Sequence, residues 1–180
     1  QDPLQGTAPS MTIEENLALA YLRADQRFGV FSQINRQDRE FFKTRLATLE
    51  LGLEDRLDSP VGLLSGGQRQ ALTLLMATLV TPKILLLDEH TAALDPATAE
   101  KVLALTEDIV KEHGITCLMI THNISIALAV GNRTIMMDKG NIALDLQGEK
   151  RENMTVKTLL DTFRATTEKE LDDDRILFSL

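Results

Sequence analysis

The stretch from residue 64 to residue 95, LSGGQRQALTLLMATLVTPKILLLDEHTAALD, constrains the fold more than any other part of the chain. Ser65 and Gln68 have the S-x-x-Q spacing of a capping box, which predicts that a helix begins here. Apolar residues then recur at the spacing of one helical face, at Leu72, Leu75, Met76 and Leu79. The stretch therefore predicts a helix that packs on a core, and we expect Pro82 to end it.

The residues at either end of this unit point to anion chemistry. Gly66 and Gly67 have no Cβ, so another group can approach their backbone N–H groups closely. A helix N-terminus with accessible N–H groups favours anions. Residues 84–87, ILLL, are typical of a strand buried on both faces, and they are followed by the adjacent carboxylates Asp88 and Glu89. The pattern thus places an anion-binding turn and a carboxylate pair in one short unit.

Three motifs in this stretch resemble those of the ATP-binding-cassette (ABC) family of ATPases. LSGGQ, at residues 64–68, is similar to the signature motif of that family. ILLLDE, at residues 84–89, resembles its Walker B strand with the catalytic glutamate. AALD, at residues 92–95, resembles its D-loop. The order of the three motifs and the spacing between them match the family as well.

Two loops extend the resemblance beyond this stretch. THN, at residues 121–123, follows an apolar run and resembles the switch loop with its single histidine. QDPLQGTAPS, at residues 1–10, is predicted to be irregular and resembles the Q-loop in position, with Gln1 as its glutamine. Without the resemblance, Gln1 is only a first residue, and a lone histidine after a strand is usually structural.

The resemblance implies ATP and Mg²⁺ as cofactors and a role for each matched residue. Glu89 would activate a water as general base, and His122 would contact the γ-phosphate. Asp88 would ligate Mg²⁺, and Gln1 would ligate Mg²⁺ or orient a water beside the nucleotide. The remaining residues would contact the nucleotide held by the opposite subunit of a head-to-tail dimer: Ser65, Gly66, Gly67, Gln68 and Asp95.

Ser65 has a competing interpretation as a plain N-cap, because one hydroxyl cannot serve both roles equally. We expect Ser65 to cap the helix in the resting state and to contact phosphate in the closed dimer. His90 and His113 are interpreted as structural, because no second ligand lies at metal-ligand spacing from either.

The motif G-x-x-x-x-G-K-[ST], which cradles phosphates in P-loop proteins, is absent from the chain. None of its ten glycines is followed by lysine. In the family this motif lies upstream of the Q-loop. We therefore expect the chain to be a fragment, inactive alone, of an active ATPase.

Strand–helix–strand alternation over residues 84–137 predicts a mainly parallel α/β sheet whose ligand site lies at the carboxyl ends of the strands. With the resemblance, the predicted fold is a partial P-loop NTPase of the ABC type with an α-helical subdomain. The predicted segments are a Q-loop at 1–10, a helical subdomain at 11–80, part of the α/β core at 81–150, and a helix and acidic tail at 151–180.

Further helices are predicted at residues 12–22, where Thr12 and Glu15 make a capping box, at about 38–51, from an Asp95 cap followed by proline to Gly114, and at 124–130 and 155–165. A second strand is predicted at 116–120, and a hairpin at 134–137 and 142–146. Phe42, Leu46 and Leu49 form the apolar stripe of the second helix, and Gly52 is predicted as its C′ residue. By family position, the helical subdomain would receive a helix of a membrane subunit. We expect the stripe either to line that groove or, more simply, to be internal core.

Composition favours a cytosolic protein. The net charge of −8 argues against non-specific nucleic-acid binding. No apolar run approaches the ~18 residues of a membrane span. Cys117, the single cysteine, excludes a disulfide within the chain and is interpreted as a buried, inert thiol.

The leading functional hypothesis is the ATPase subunit of a transporter that imports a small solute. It would bind a second ATPase subunit and transmembrane permease subunits at the cytoplasmic side of the cell membrane, and serve a system with a solute-binding protein. A non-transport cassette ATPase acting on DNA or ribosomes is the alternative, disfavoured by the absence of a sustained heptad or a tandem repeat. A non-enzymatic regulator is disfavoured by the presence of Glu89, His122 and LSGGQ.

Overall fold

The computed structural model describes residues 6–24 and 34–177, with backbone alone for residues 23–24 and 167–177. Gln1 lies outside the described residues. The chain divides into two compact units, residues 1–120 and residues 121–180. The predicted four-segment division stays a prediction.

Three helices form the first part of the first unit: α1 (Ile13–Ala24), α2 (Arg36–Ala47) and α3 (Gly66–Thr78). Each begins at a reciprocal cap. Thr12 and Glu15 each accept a hydrogen bond from the other's backbone N–H, at 2.7 and 3.1 Å, which confirms the predicted capping box. Asn35 and Asp38 cap α2 in the same way.

The three helices enclose an apolar core. Its fully buried side chains come from all three helices and from the connection between α2 and α3: Ile13, Leu17, Phe42, Leu46, Leu53, Leu57, Val61, Ala71 and Leu72. Leu49 is buried in the same core, so the simpler expectation for the stripe, internal core, is confirmed. The stripe does not line a docking groove, and a groove for a membrane subunit elsewhere on these helices stays a prediction. Arg39 on α2 joins α1 to this connection through ion pairs with Glu14 and Asp58.

The predicted bounds of α2 were wrong at both ends. Asn35 caps the helix, so it begins before residue 38, and it ends at Ala47 with Thr48 as its C-cap. Gly52 therefore lies beyond the helix, where its φ of +66° suits a turn. Similarly, α3 ends at Thr78, four residues before Pro82.

A parallel strand pair forms the second part of this unit. β1 (Ile84–Asp88) and β2 (Thr116–Ile120) form a parallel pair, as the sequence predicted, and the register runs from Ile84 with Thr116 to Asp88 with Ile120. α4 (Pro96–His113) connects them. It begins at an Asp95 cap followed by proline and ends at Gly114, whose φ of +59° is the left-handed conformation of a C-terminal glycine.

One face of the strand pair is covered and the other is not. Leu85 packs against Leu74 of α3 and Ile109 of α4 in a second, smaller core. The alternate residues on the opposite face are more than half exposed: Ile84 53%, Leu86 66%, Leu118 52% and Ile120 54%. In the described residues, the interpretation of β1 as a buried strand is therefore confirmed for one face only, and the other is the uncovered apolar face expected of a sheet without the P-loop strand and its helix. Parallel sheets are normally covered on both faces, and an exposed apolar face of this kind favours association.

The second unit contains α5 (Ile124–Ala129), β3 (Arg133–Asp138), β4 (Asn141–Gln147), α6 (Glu149–Glu152) and α7 (Val156–Leu177). β3 and β4 form the predicted hairpin, with a bulge between Met136 and Met137. α6 was not predicted, and α7 continues past the predicted end at residue 165. Among the described residues, no helix combines the length and apolar character that crossing a membrane requires.

Arg151 of α6 holds the turn between α5 and β3. Its Nη2 atom donates to the carbonyl oxygens of Leu128 and Val130, both at 2.7 Å, and its Nε atom donates to Thr134 Oγ1 at 2.9 Å. The buried hydroxyl of Thr134 donates in turn to Ala127 O at 2.6 Å. This network fixes the first strand of the hairpin relative to the helices of its own unit.

Candidate functional site

The carboxylate pair lies where β1 ends. Asp88 is the last residue of the strand and is exposed. Glu89 follows with φ of +45°, in the left-handed region that non-glycine residues rarely adopt. Its N–H donates to Ile120 O at 2.9 Å, and its carbonyl accepts from Ala92 N–H at 2.9 Å. The backbone of Glu89 is thus fixed to the end of β2 on one side and to a tight turn on the other.

Between β1 and α4, residues 89–95 form a loop in which only His90 is fully buried. Its Nε2 atom lies 3.2 Å from Thr106 Oγ1 on α4, and the Thr106 hydroxyl donates to Val102 O at 2.7 Å. Burial lowers the pKa of His90 below its ordinary value near 6.5. The neutral imidazole therefore anchors the loop to α4, which agrees with the structural role predicted for it.

The turn that begins α3 has the predicted capping box. Gln68 N–H donates to Ser65 Oγ at 3.3 Å, and Ser65 N–H donates to Gln68 Oε1 at 3.1 Å. Ser65 and Gly66 are exposed, whereas Gly67 is buried. The resting-state half of the expectation for Ser65 is confirmed, and its phosphate contact stays a prediction.

Gly67 packs against the first turn of α4. A Cβ atom at Gly67 would lie 2.0 Å from Thr98 Cγ2, a separation that no real side chain tolerates. A Cβ atom at Gly66 would lie 3.4 Å from Leu94 Cδ2, an ordinary contact. The two glycines therefore differ: Gly66 faces outward, whereas Gly67 allows α3 to approach α4.

Gly67→Ala is expected to destabilise the first unit by about 1–3 kcal/mol, because the new methyl group collides with Thr98 and overpacks the contact. Gly66→Ala, its control, is expected to change stability by less than about 1 kcal/mol. Thr98→Ser removes the colliding methyl group and keeps the hydroxyl, so Gly67→Ala with Thr98→Ser is expected to recover most of the loss. Urea denaturation of the four proteins measures this, and failure of Thr98→Ser to recover stability would contradict the contact.

Asp95 joins the same region. Its Oδ1 atom accepts from Thr98 N–H at 3.1 Å, and the hydrogen bonds from Thr98 lower the pKa of this carboxyl. Because Thr98 also contacts Gly67, the turn at Ser65 and the cap at Asp95 are held beside each other within one unit. The structure thus brings together the residues that the sequence assigned to one shared interface.

His122 is the second residue of the second unit and is exposed. The loop around it is shaped by Asn123, whose Oδ1 atom accepts from Ser125 N–H at 3.0 Å and Ile126 N–H at 3.3 Å. Thr121 Oγ1 accepts from Asn123 N–H at 3.1 Å. The predicted loop after β2 is therefore present, and the role of His122 stays a prediction.

The side chains at the carboxylate pair could bind Mg²⁺ only together with oxygen atoms of a bound molecule such as a nucleotide. Within the described ranges, no group of three or more histidine, cysteine or acidic side chains could hold a metal by itself. Asp88 offers one exposed carboxylate. Mg²⁺ commonly binds one or two carboxylates together with phosphate oxygens and waters, so Asp88 fits as one ligand of a nucleotide-bound ion.

Sequence reasoning missed Arg69. This arginine of α3 is buried, and its Nη2 atom donates to Val61 O at 3.4 Å and Gly62 O at 3.3 Å. These bonds hold the 3-10 turn that precedes Ser65. A charged residue at a buried position of an amphipathic helix was the available signal.

Cys117, by contrast, was interpreted as buried but is half-buried, and burial raises its pKa.

Comparison with known proteins finds similar sequences and similar structures. The ABC transporter family profile matches residues 1–92. The tyrosine transport ATP-binding protein of Clostridioides difficile is 47% identical over 163 residues, which are 91% of this chain and 64% of that protein. The methionine import ATP-binding protein MetN of Streptococcus mutans is 38% identical over 129 residues, 69% of this chain and 36% of that protein.

A solved structure shows the same fold. It is a dimeric ATP-binding cassette in a post-hydrolysis state with ADP and Pi, with a TM-score of 0.64 and 28% identity. The alignment covers 82% of this chain and 60% of that one. The chain therefore spans less than two thirds of the length of each of these three proteins.

Proposed function

Because the chain belongs to the ABC transporter family of ATP-binding proteins, we propose that it carries the catalytic base and the trans-acting contacts of a transporter ATPase. That subunit would couple ATP binding and hydrolysis to movement of a small solute across the membrane. One observation carries the proposal. A single compact unit holds Glu89 at the carboxyl end of a parallel strand, and packs the Ser65 turn against the Asp95 cap through Gly67 and Thr98.

Glu89 would act as the general base. A water oxygen forms a bond to the γ-phosphorus of ATP, the bond from that phosphorus to the β–γ bridging oxygen breaks, and Glu89 takes the proton of the water. Bound Mg²⁺ would neutralise charge on the phosphates, with Asp88 and Gln1 as its protein ligands. His122 would contact the γ-phosphate and hold the attacking water. The backbone contacts of Glu89 to Ile120 and Ala92 support this role because they fix where its side chain starts.

The trans contacts would come from two neighbouring helix ends. Ser65, Gly66, Gly67 and Gln68 would bind the γ-phosphate held by a second ATPase subunit, through a hydroxyl and backbone N–H groups. For Ser65 and Gln68, contact with the phosphate requires that the hydrogen bonds of the reciprocal cap break, or that the cap and the phosphate share the same N–H donors. Asp95 would act at the same interface. Its ionised carboxylate suits a polar contact between subunits.

The relatives support an importer of amino-acid-sized solutes. One is named for tyrosine transport and another for methionine import. We propose transmembrane permease subunits and a solute-binding protein as further partners, with the ATPase held at the cytoplasmic face of the cell membrane by the permease.

Uptake into vesicles tests the solute class. The complete ATPase that contains this sequence, its permease and its solute-binding protein are reconstituted, and uptake of labelled tyrosine, methionine and an alkyl sulfonate is compared. ATP-dependent uptake of one amino acid, lost on Glu89→Gln, is the expected result. ATPase activity that responds to DNA or ribosomes, and to none of the permease components, would contradict transport.

A further inference from the structure

We propose that His90 and Thr106 form a positioning pair, which fixes the loop at residues 89–95 against α4 and thereby sets the place of Glu89. The proposal rests on the proposed function of Glu89 as a base. It assigns a task to a histidine that the sequence alone gave no part in the reaction.

The direction of the hydrogen bond follows from its partners. The Thr106 hydroxyl donates its proton to Val102 O at 2.7 Å, so its oxygen is left to accept from His90 Nε2 at 3.2 Å. His90 therefore carries its proton on Nε2. His90 is 6% exposed and Thr106 is 3% exposed, so water does not compete for this bond. The hydrogen bonds of Thr106 thus define which nitrogen of the His90 ring faces α4 as a donor.

The neighbouring backbone explains why the pair matters for Glu89. A non-glycine residue in the left-handed region is strained, and it persists only where its surroundings hold it. On its N-terminal side, Glu89 is held by β1 and by its bond to Ile120 O. On its C-terminal side, Glu89 O accepts from Ala92 N–H at 2.9 Å, and the next residue is His90, the one fully buried side chain of the loop. The buried imidazole is thus the side-chain anchor nearest to the strained residue.

A second anchor of the loop lies at its far end and is independent of His90. Asp95 caps α4, and Leu94 N–H donates to Thr91 O at 3.2 Å. These contacts fix the last residues of the loop before α4. Except for Thr91, the residues that make them lie four or more positions from Glu89. Loss of the His90 bond would therefore loosen the first half of the loop, which keeps only the backbone hydrogen bonds to Glu89 O and Thr91 O, while the cap holds the second half in place.

The chain offers a matched control for removing the Thr106 hydroxyl. Thr78 on α3 is 5% exposed, and its hydroxyl donates to Leu74 O, four residues earlier, at 2.8 Å. Thr106 makes the same kind of bond to Val102 O. Thr78→Val and Thr106→Val thus remove the same group from similar helical sites, but only the second removes the acceptor of His90. Thr106→Ser and His90→Gln keep an acceptor hydroxyl and an N–H donor, respectively.

The experiment compares these four variants in the complete ATPase that contains this chain. It measures kcat, KM for ATP, melting temperature and amide hydrogen exchange over residues 89–95. Thr106→Val is expected to lower kcat about tenfold with KM nearly unchanged, and to speed exchange in the first half of the loop. Thr78→Val is expected to lower the melting temperature comparably without either effect. Thr106→Ser and His90→Gln are expected to retain most of kcat.

Two results would overturn the proposal. One is the same kcat and the same loop exchange for Thr106→Val and Thr78→Val at matched stability. The other is a loss for Thr106→Ser or His90→Gln as large as that for Thr106→Val, since volume rather than the bond would then matter. If wild type and all variants lack ATPase activity, the proposed function fails. The exchange measurement still decides whether the pair anchors the loop.

Discussion

Replacing Glu89 with glutamine is expected to lower kcat of the complete ATPase by about 100-fold or more while ATP binding is retained. The amide keeps the shape of the side chain but cannot take a proton from the attacking water. A general base contributes about 10²–10⁴-fold, so its loss should dominate every other single change at the site. Because binding continues without hydrolysis, ATP-loaded dimers are expected to accumulate. Steady-state turnover and size-exclusion chromatography with ATP measure the two effects.

Glu107 provides the matched control. It lies on α4 in an i, i+4 pair with Lys111, with 3.6 Å between the carboxylate and ammonium groups, and such exposed pairs contribute little. Glu107→Gln removes the same charge from the same unit and is expected to leave kcat within a factor of two of wild type. Turnover that stays within that factor for Glu89→Gln would mean that Glu89 is not the base.

The elements that the sequence predicted correctly are those set by neighbouring residues. Ser65 and Gln68 lie three residues apart, so their reciprocal cap can be recognised from spacing, and so can that of Thr12 and Glu15. Asp95 followed by proline identified the start of α4 in the same way. The order of strands and turns then placed Asp88 and Glu89 at the carboxyl end of β1.

The features that sequence reasoning missed depend on distant parts of the chain. Thr98 reaches Gly67, and Thr106 reaches His90, through helix packing that no local pattern encodes. An uncovered apolar face was expected, but that it is the face of Leu86 is decided in the same way. An apolar run indicates a tendency to be buried, but what covers each face of a strand is decided by tertiary structure.

The start of α2 illustrates a local signal that went unread. Asn35 with Asp38 is an N-x-x-D cap, and the helix begins between them, before the residue that the apolar stripe suggested. Charged residues occupy its first turn, so the hydrophobic pattern alone starts too late. Gly52 was predicted as the C′ residue of α2, but it lies beyond the helix, in a turn. The prediction failed because glycine is as common in turns as at helix ends.

The isolated chain of 180 residues is expected to show no magnesium-dependent ATP turnover. It carries the proposed base, a magnesium carboxylate and the trans contacts, but no G-x-x-x-x-G-K-[ST] motif. In P-loop enzymes that motif supplies the amide cradle and the lysine for the phosphates. The exposed face at Leu86 and Leu118 should also make the isolated chain associate.

An ATPase assay combined with light scattering on this chain is therefore the most direct test. The chain is measured alone and again fused to a segment that supplies the missing motif and its strand. Association without turnover for the chain alone, and turnover that depends on Glu89 for the fusion, are the predicted results. A monomeric chain that hydrolyses ATP by itself, with activity lost on Glu89→Gln, would contradict the account.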